Sequence, residues 1–138
     1  MNTAFLYPVL VQVLLTFLLV AATATTRVRA IASGKVKPKD VSLGEKNWPR
    51  RSLQFSNAYQ NQLETPILFY VGVILAAMYG VAGTLLLVLA WIWVGARIAH
   101  AAIHVTSNHM LHRFLAFAAS VGVLLVFWVV LAVSVLTR

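Results

Sequence analysis

Residues 3–26, 65–82 and 114–137 contain no charged side chain, and residues 84–105 contain only Arg97, His100 and His104 as ionisable groups. A helix needs about 20 apolar residues to cross the hydrocarbon of a bilayer. The chain is 61% hydrophobic and 10% charged over 138 residues, and a soluble domain of that size has too little interior to bury so much apolar side chain. The expected architecture is therefore all-α: a single domain over residues 1–138, an integral membrane four-helix bundle. Its spans are placed at approximately 3–26, 57–82, 84–106 and 113–137, with a basic loop at 27–56. The first span lacks a basic stretch before it and is expected to be retained rather than cleaved as a signal sequence.

Charge distribution sets the orientation. The loop carries Arg27, Arg29, Lys35, Lys37, Lys39, Lys46, Arg50 and Arg51 against Asp40 and Glu45. The next connection, "YGVAGT", carries no charge and is short, so the second and third spans form a hairpin. The third connection, near "SNHMLHR", holds His109, His112 and Arg113. The positive-inside bias places the first and third loops in the cytoplasm and both termini on the opposite side. The basic loop reads as a topology signal beside anionic lipid, or as a docking surface for an anionic ligand. Nucleic acid is not an expected partner, because no interleaved aromatics or known binding motif accompany the basic residues. The chain has no cysteine, which excludes disulfides, thiolate metal sites and a cysteine nucleophile. No GxSxG, P-loop or GxGxxG motif is present.

Polar residues within the spans fall at helical spacing. Gln54, Asn57, Asn61 and Glu64 form one stripe, and Arg97, His100 and His104 form another. Joined by a short hairpin, the two stripes can face each other near the cytoplasmic side, where Glu64 and Arg97 can neutralise one another directly or through water. Ionisable groups in membrane are costly and lean functional. A purely structural network that glues helices together is the alternative. Two further chemistries are open: zinc held by Glu64, His100 and His104, with no metal expected in the absence of an HExxH motif, and a proton relay through the same three residues.

The segments "NAYQNQLETP" before an apolar helix and "GARIAHAAIHV" in the third span resemble the MAPEG family, the membrane-associated proteins of eicosanoid and glutathione metabolism. The resemblance covers almost the whole chain, and its most specific part is N-x-x-E combined with R-x-x-H. It implies a homotrimer of four-helix protomers. Glutathione, as co-substrate, would bind in a polar cleft between protomers that opens to the cytosol. A lipophilic small molecule would approach from the bilayer. By this resemblance Arg113 is the catalytic residue, stabilising the glutathione thiolate. Arg29, Asn57, Asn61, Glu64, Arg97, His100 and His104 line the glutathione site.

The match is uneven. Asn57 stands where glutathione-using members usually carry Arg, His104 where they often carry Tyr, and Phe114 and Phe117 where the prostaglandin-synthase branch has Ser and Tyr. Replacing Arg by Asn removes a bidentate carboxylate clamp. Two functions follow as expectations. One is a glutathione-dependent transferase or peroxidase acting on lipophilic electrophiles. The other is a non-catalytic trimer that binds an amphiphile or serves as an accessory subunit of a larger membrane complex.

Overall fold

A computed structural model describes residues 3–137 of the expected domain 1–138. The described residues form α-helices α1 (Leu6–Ala32), α2 (Arg50–Gln60), α3 (Pro66–Met78), α4 (Thr84–Val105) and α5 (Met110–Leu136), with short 3-10 turns at Thr3–Phe5 and Pro38–Asp40. Three helical segments, Thr3–Ala32, Thr84–Val105 and Met110–Leu136, are long and apolar enough to cross a membrane.

The first helix runs beyond the expected boundary at residue 26, because Arg27 and Arg29 carry charge without breaking helix propensity. It stops at Ser33–Gly34. The Lys35 N–H donates to the Ala30 carbonyl at 3.1 Å and the Gly34 N–H to that of Ile31 at 2.9 Å, the Schellman arrangement, with Gly34 at φ 71°. Within the helix, the hydroxyls of Thr16, Thr23, Thr25 and Thr26 donate to carbonyls four residues earlier. These threonines therefore satisfy their own polar groups without a partner helix.

The expected second span, 57–82, is not one continuous helix. α2 ends at Gln60 and α3 begins at Pro66. Pro66 lacks a backbone N–H, so it cannot continue the helical ladder from α2 and takes the first position of α3. The Asn61 side chain also turns back to bond the Asn57 carbonyl at 2.9 Å. The basic loop shortens accordingly: residues 27–32 belong to α1, residues 50–56 belong to α2, and the connection between the helices is 33–49. The last helix likewise starts three residues earlier than expected, which puts Arg113 inside its first turns rather than at its start.

α4 packs chiefly on α5, α3 packs on α5, and α2 packs against both α1 and α4. The core is aromatic. Phe69 stacks on Trp93 with centroids 4.3 Å apart, and Phe127 lies 6.2 Å from Phe69. Gly72 is the close-approach point of α3 on α5: a Cβ there would lie 2.7 Å from a Phe127 ring carbon. At the other end, the small buried residues Ala58 and Ala101 pack with Leu19, letting α1, α2 and α4 approach closely. Between α1 and the break that follows α2, the Gln12 side-chain amide donates to the Gln62 side-chain carbonyl at 2.8 Å in a buried contact.

Both basic segments sit at one end of the bundle. Arg51 donates from Nη1 to the Val105 carbonyl, joining the start of α2 to the turn between α4 and α5. Arg27 donates to the Ser56 hydroxyl at 2.8 Å and lies 4.9 Å over the Trp48 ring. The long connection is thereby held against the helices.

Candidate functional site

Asn61, His100, His104, Met110, Arg113, Phe114 and Phe117 line one pocket of about 230 Å³. Its polar residues come from three places in the chain. Asn61 caps the C-terminal end of α2. His100 and His104, one helical turn apart, project from α4 and are both buried. Arg113 lies in α5 and is half-buried.

Arg113 is oriented from outside the expected set. Its Nη1 donates to the Asn108 side-chain carbonyl at 2.7 Å. Asn108 adopts φ 51° in the turn between α4 and α5, a conformation Asn tolerates better than most residues. Its N–H donates to the Ile103 carbonyl at 2.8 Å. The turn therefore fixes an acceptor that aims the guanidinium, and the only sequence hint is an Asn in a four-residue connection.

Arg97 lies behind the pocket with 0% of its surface exposed. It donates from Nη2 to the Asn61 backbone carbonyl at 2.6 Å. Among the described residues its Nε and Nη1 have no hydrogen-bond partner, and neither do the Nδ1 atoms of His100 and His104. Unused donors and acceptors at this density are unusual in a buried setting. The His100 and His104 rings meet edge-on at 5.8 Å, and His100 lies 5.8 Å from the Phe117 ring.

Three of the expected site residues, Arg29, Asn57 and Glu64, are not brought into this pocket. Asn57 and Glu64 are exposed. Glu64 falls in the break between α2 and α3, close enough for a Coulombic interaction with Arg97. No ion pair joins the two within 4.0 Å among the described residues. Arg29 lies in the last turn of α1 and lines a different pocket, with Lys35 and Arg51. Among the described residues, no three His, Asp or Glu side chains gather as a metal-ligand set. A cavity of about 600 Å³ between α1 and α3 is lined by Val9, Val13, Tyr70, Val73 and other mainly apolar residues, away from His100, His104 and Arg113.

The MAPEG family model matches residues 5–133. The chain belongs to the MAPEG family. It is an integral membrane protein related to those of glutathione and eicosanoid metabolism. No curated protein and no solved structure matches it significantly.

The structure brings Asn61, His100 and Arg113, three of the residues expected at the site, to one pocket, and Arg97 bonds the Asn61 carbonyl beside it. His104 and Phe117 line the same pocket.

Proposed function

We propose that the protein binds glutathione at the Asn61–His100–His104–Arg113 pocket and presents its sulfur as a thiolate to a lipophilic electrophile. The observation that carries this reading is the convergence of those side chains on one pocket with a guanidinium aimed by Asn108. Arg113 offers the fixed positive charge that favours a thiolate. The thiol proton passes to solvent. Sulfur then attacks the electrophilic carbon, and the electron pair of the broken bond leaves with the departing group. Met110, Phe114 and Phe117 provide the apolar side of the pocket for such a substrate.

The pocket of one chain is about 230 Å³, below the usual range of about 300–1,000 Å³ for a whole small-molecule ligand. The exposure of Arg29, Asn57 and Glu64 fits a site completed by neighbouring copies. We therefore read the working unit as a homotrimer in which these residues reach glutathione across subunit boundaries, with the basic end of the bundle in the cytoplasm. Calorimetric titration of the detergent-solubilised protein with glutathione tests the reading. Saturable binding that is lost in Arg113→Leu and Asn61→Leu supports it, and no binding overturns it.

A second reading has its own support. Phe114 and Phe117 in the pocket, with Asn57 in place of a clamp Arg, favour a non-catalytic amphiphile binder. In that case a fatty-acyl anion would saturate the pocket and glutathione would not.

A further inference from the structure

The cavity of about 600 Å³ between α1 and α3 adjoins another of about 360 Å³, and Val13 and Tyr70 are wall residues of both. The two make one groove along the helices. Its outer end lies at Phe5 and Met78, just before α1 begins and where α3 ends. Among the described residues no charged side chain lines it. The outer cavity falls within the range of about 300–1,000 Å³ that encloses a whole small ligand. Its walls are almost wholly apolar, whereas the inner cavity adds Thr16 and Gln62.

An apolar groove beside lipid says little by itself. Gln62 carries the information. It is 2% exposed, yet it is a wall residue of the inner cavity. Its side-chain oxygen accepts from Gln12 Nε2 at 2.8 Å. Its own Nε2 carries two hydrogens, and one of them bonds the Ala58 carbonyl at 3.3 Å. Gln12 does not take the other, because Gln12 Oε1 is buried without a partner among the described residues. The two amides therefore exchange a single bond, and one N–H of Gln62 is left over. A buried donor without an acceptor is costly. An apolar channel with one placed donor at its inner end is the pattern that orients a lipophilic ligand.

Depth selects the chemistry of that ligand. Thr16, in the same wall as Gln62, stands near the middle of the uncharged run 3–26. That run is long enough to cross the hydrocarbon. The inner end of the groove thus lies inside the hydrocarbon, away from the level of phospholipid headgroups. A charged headgroup reaches it only at a heavy desolvation cost, whereas a single carbonyl oxygen needs one donor and carries no charge.

We propose that the groove binds a neutral lipophile bearing a carbonyl, with its apolar body in the outer cavity and its oxygen accepting from the Gln62 amide. Asn61 and Gln62, consecutive in the break between α2 and α3, line different sites, and the groove shares no wall residue with the His100–His104 pocket. The proposal does not rest on glutathione binding there.

The test uses the full chain in lipid nanodiscs and a benzophenone with one dodecyl chain. The probe's carbonyl is the hydrogen-bond acceptor and, under ultraviolet light, the group that inserts into nearby C–H bonds. Labelling should saturate with the mole fraction of probe and fall on peptides that hold Val13, Thr16 and Ile67. Methyl tridecyl ketone should compete about five-fold better than the alkane of the same length, the worth of about one hydrogen bond. Val13→Phe, which fills the place where the two cavities meet, should reduce labelling about ten-fold. Leu14→Phe, at an exposed position outside both cavities, should leave it unchanged. Gln62→Leu should abolish the advantage of the ketone over the alkane. Because that change also removes a buried bond to Gln12, the ketone–alkane comparison on wild type stands as a test in its own right. The proposal is overturned if labelling does not saturate, if the alkane competes as well as the ketone, or if Val13→Phe labels like wild type. It is equally overturned if the groove takes no label, the result expected where a neighbouring copy of the chain covers it.

Discussion

The Arg97 guanidinium bonds the backbone carbonyl of Asn61, 2.6 Å away, at the residue where α2 stops being helical. A cation buried in α4 thus holds the upper edge of the break between α2 and α3. Among the described residues only one of its nitrogens is used, since Nε and Nη1 have no partner there. A buried charge so poorly satisfied is a weak contributor to stability. Under the proposed function it holds Asn61 in place and adds positive potential to the neighbouring pocket.

Arg97→Met should therefore separate stability from binding. Exchange for an apolar side chain of similar length removes the desolvation cost of a buried charge, several kcal/mol, along with one charged hydrogen bond to Asn61, worth about 1.5–3 kcal/mol. The expected result is an unfolding midpoint in detergent at or above that of wild type, with glutathione affinity lowered. Glu64→Gln should change stability by less than about 1 kcal/mol, as an exposed charge without a direct partner does. A large loss of stability in Arg97→Met would show that its bond to Asn61 holds the fold.

The Gln12–Gln62 contact should be energetically coupled. Gln12→Leu leaves the Gln62 amide oxygen buried without its donor, and Gln62→Leu does the converse. Replacing both removes the two orphaned groups together. A double-mutant cycle in micelles is expected to give a coupling of about 0.6–1.7 kcal/mol, the range of side-chain hydrogen bonds in membrane. Strict additivity of the two single changes would place the amides in water rather than against each other.

Gly72→Ala tests the packing of α3 on α5. The new methyl would lie 2.7 Å from the ring of Phe127, which has 0% exposure and is wedged near Phe69 and Trp93. With no free space for the ring, overpacking should cost about 1–3 kcal/mol. Phe127→Leu in the same chain should recover part of the loss. Unchanged stability in Gly72→Ala would mean that α3 can slide along α5.

Much of this architecture is legible in the sequence, for physical reasons that differ by element. Apolar blocks at 3–26, 84–105 and 114–137 mark helices because nothing else hides so many apolar side chains. The spacing of Arg97, His100 and His104 places them on one face because helical geometry is local. The break at 61–65 was equally visible, in Thr65–Pro66 and in the Asn and Gln side chains before it. A hydropathy reading runs across it, since membrane helices often tolerate Pro. Contacts between distant residues left no such mark. Nothing periodic links Gln12 to Gln62, and nothing in an Asn at position 108 announces that it will orient Arg113. The approach of Arg29 to Lys35 and Arg51, rather than to His100, depends on how α1 ends, and the turn at Gly34 decides that.

Arg113 should set the ionisation of glutathione sulfur. A free thiol titrates near ~8.5, so only a few per cent is ionised at neutral pH. A fixed guanidinium beside it favours the anion by about 1–3 pH units. Arg113 lies in the first turns of α5, where the N-terminal end of the helix adds a smaller contribution of the same sign. The bound thiol should then titrate below the free one, and the thiolate absorption of the complex should persist as pH falls through neutrality. Arg113→Leu should move that titration back toward the value of free glutathione. Asn108→Ala, which frees the guanidinium without removing it, should shift it only partly. Difference absorption spectra of the three proteins at saturating glutathione, recorded across pH, make the comparison. If wild type shows no thiolate band, or if Arg113→Leu keeps the band unchanged, Arg113 is an interfacial anchor for α5 and not the group that activates sulfur.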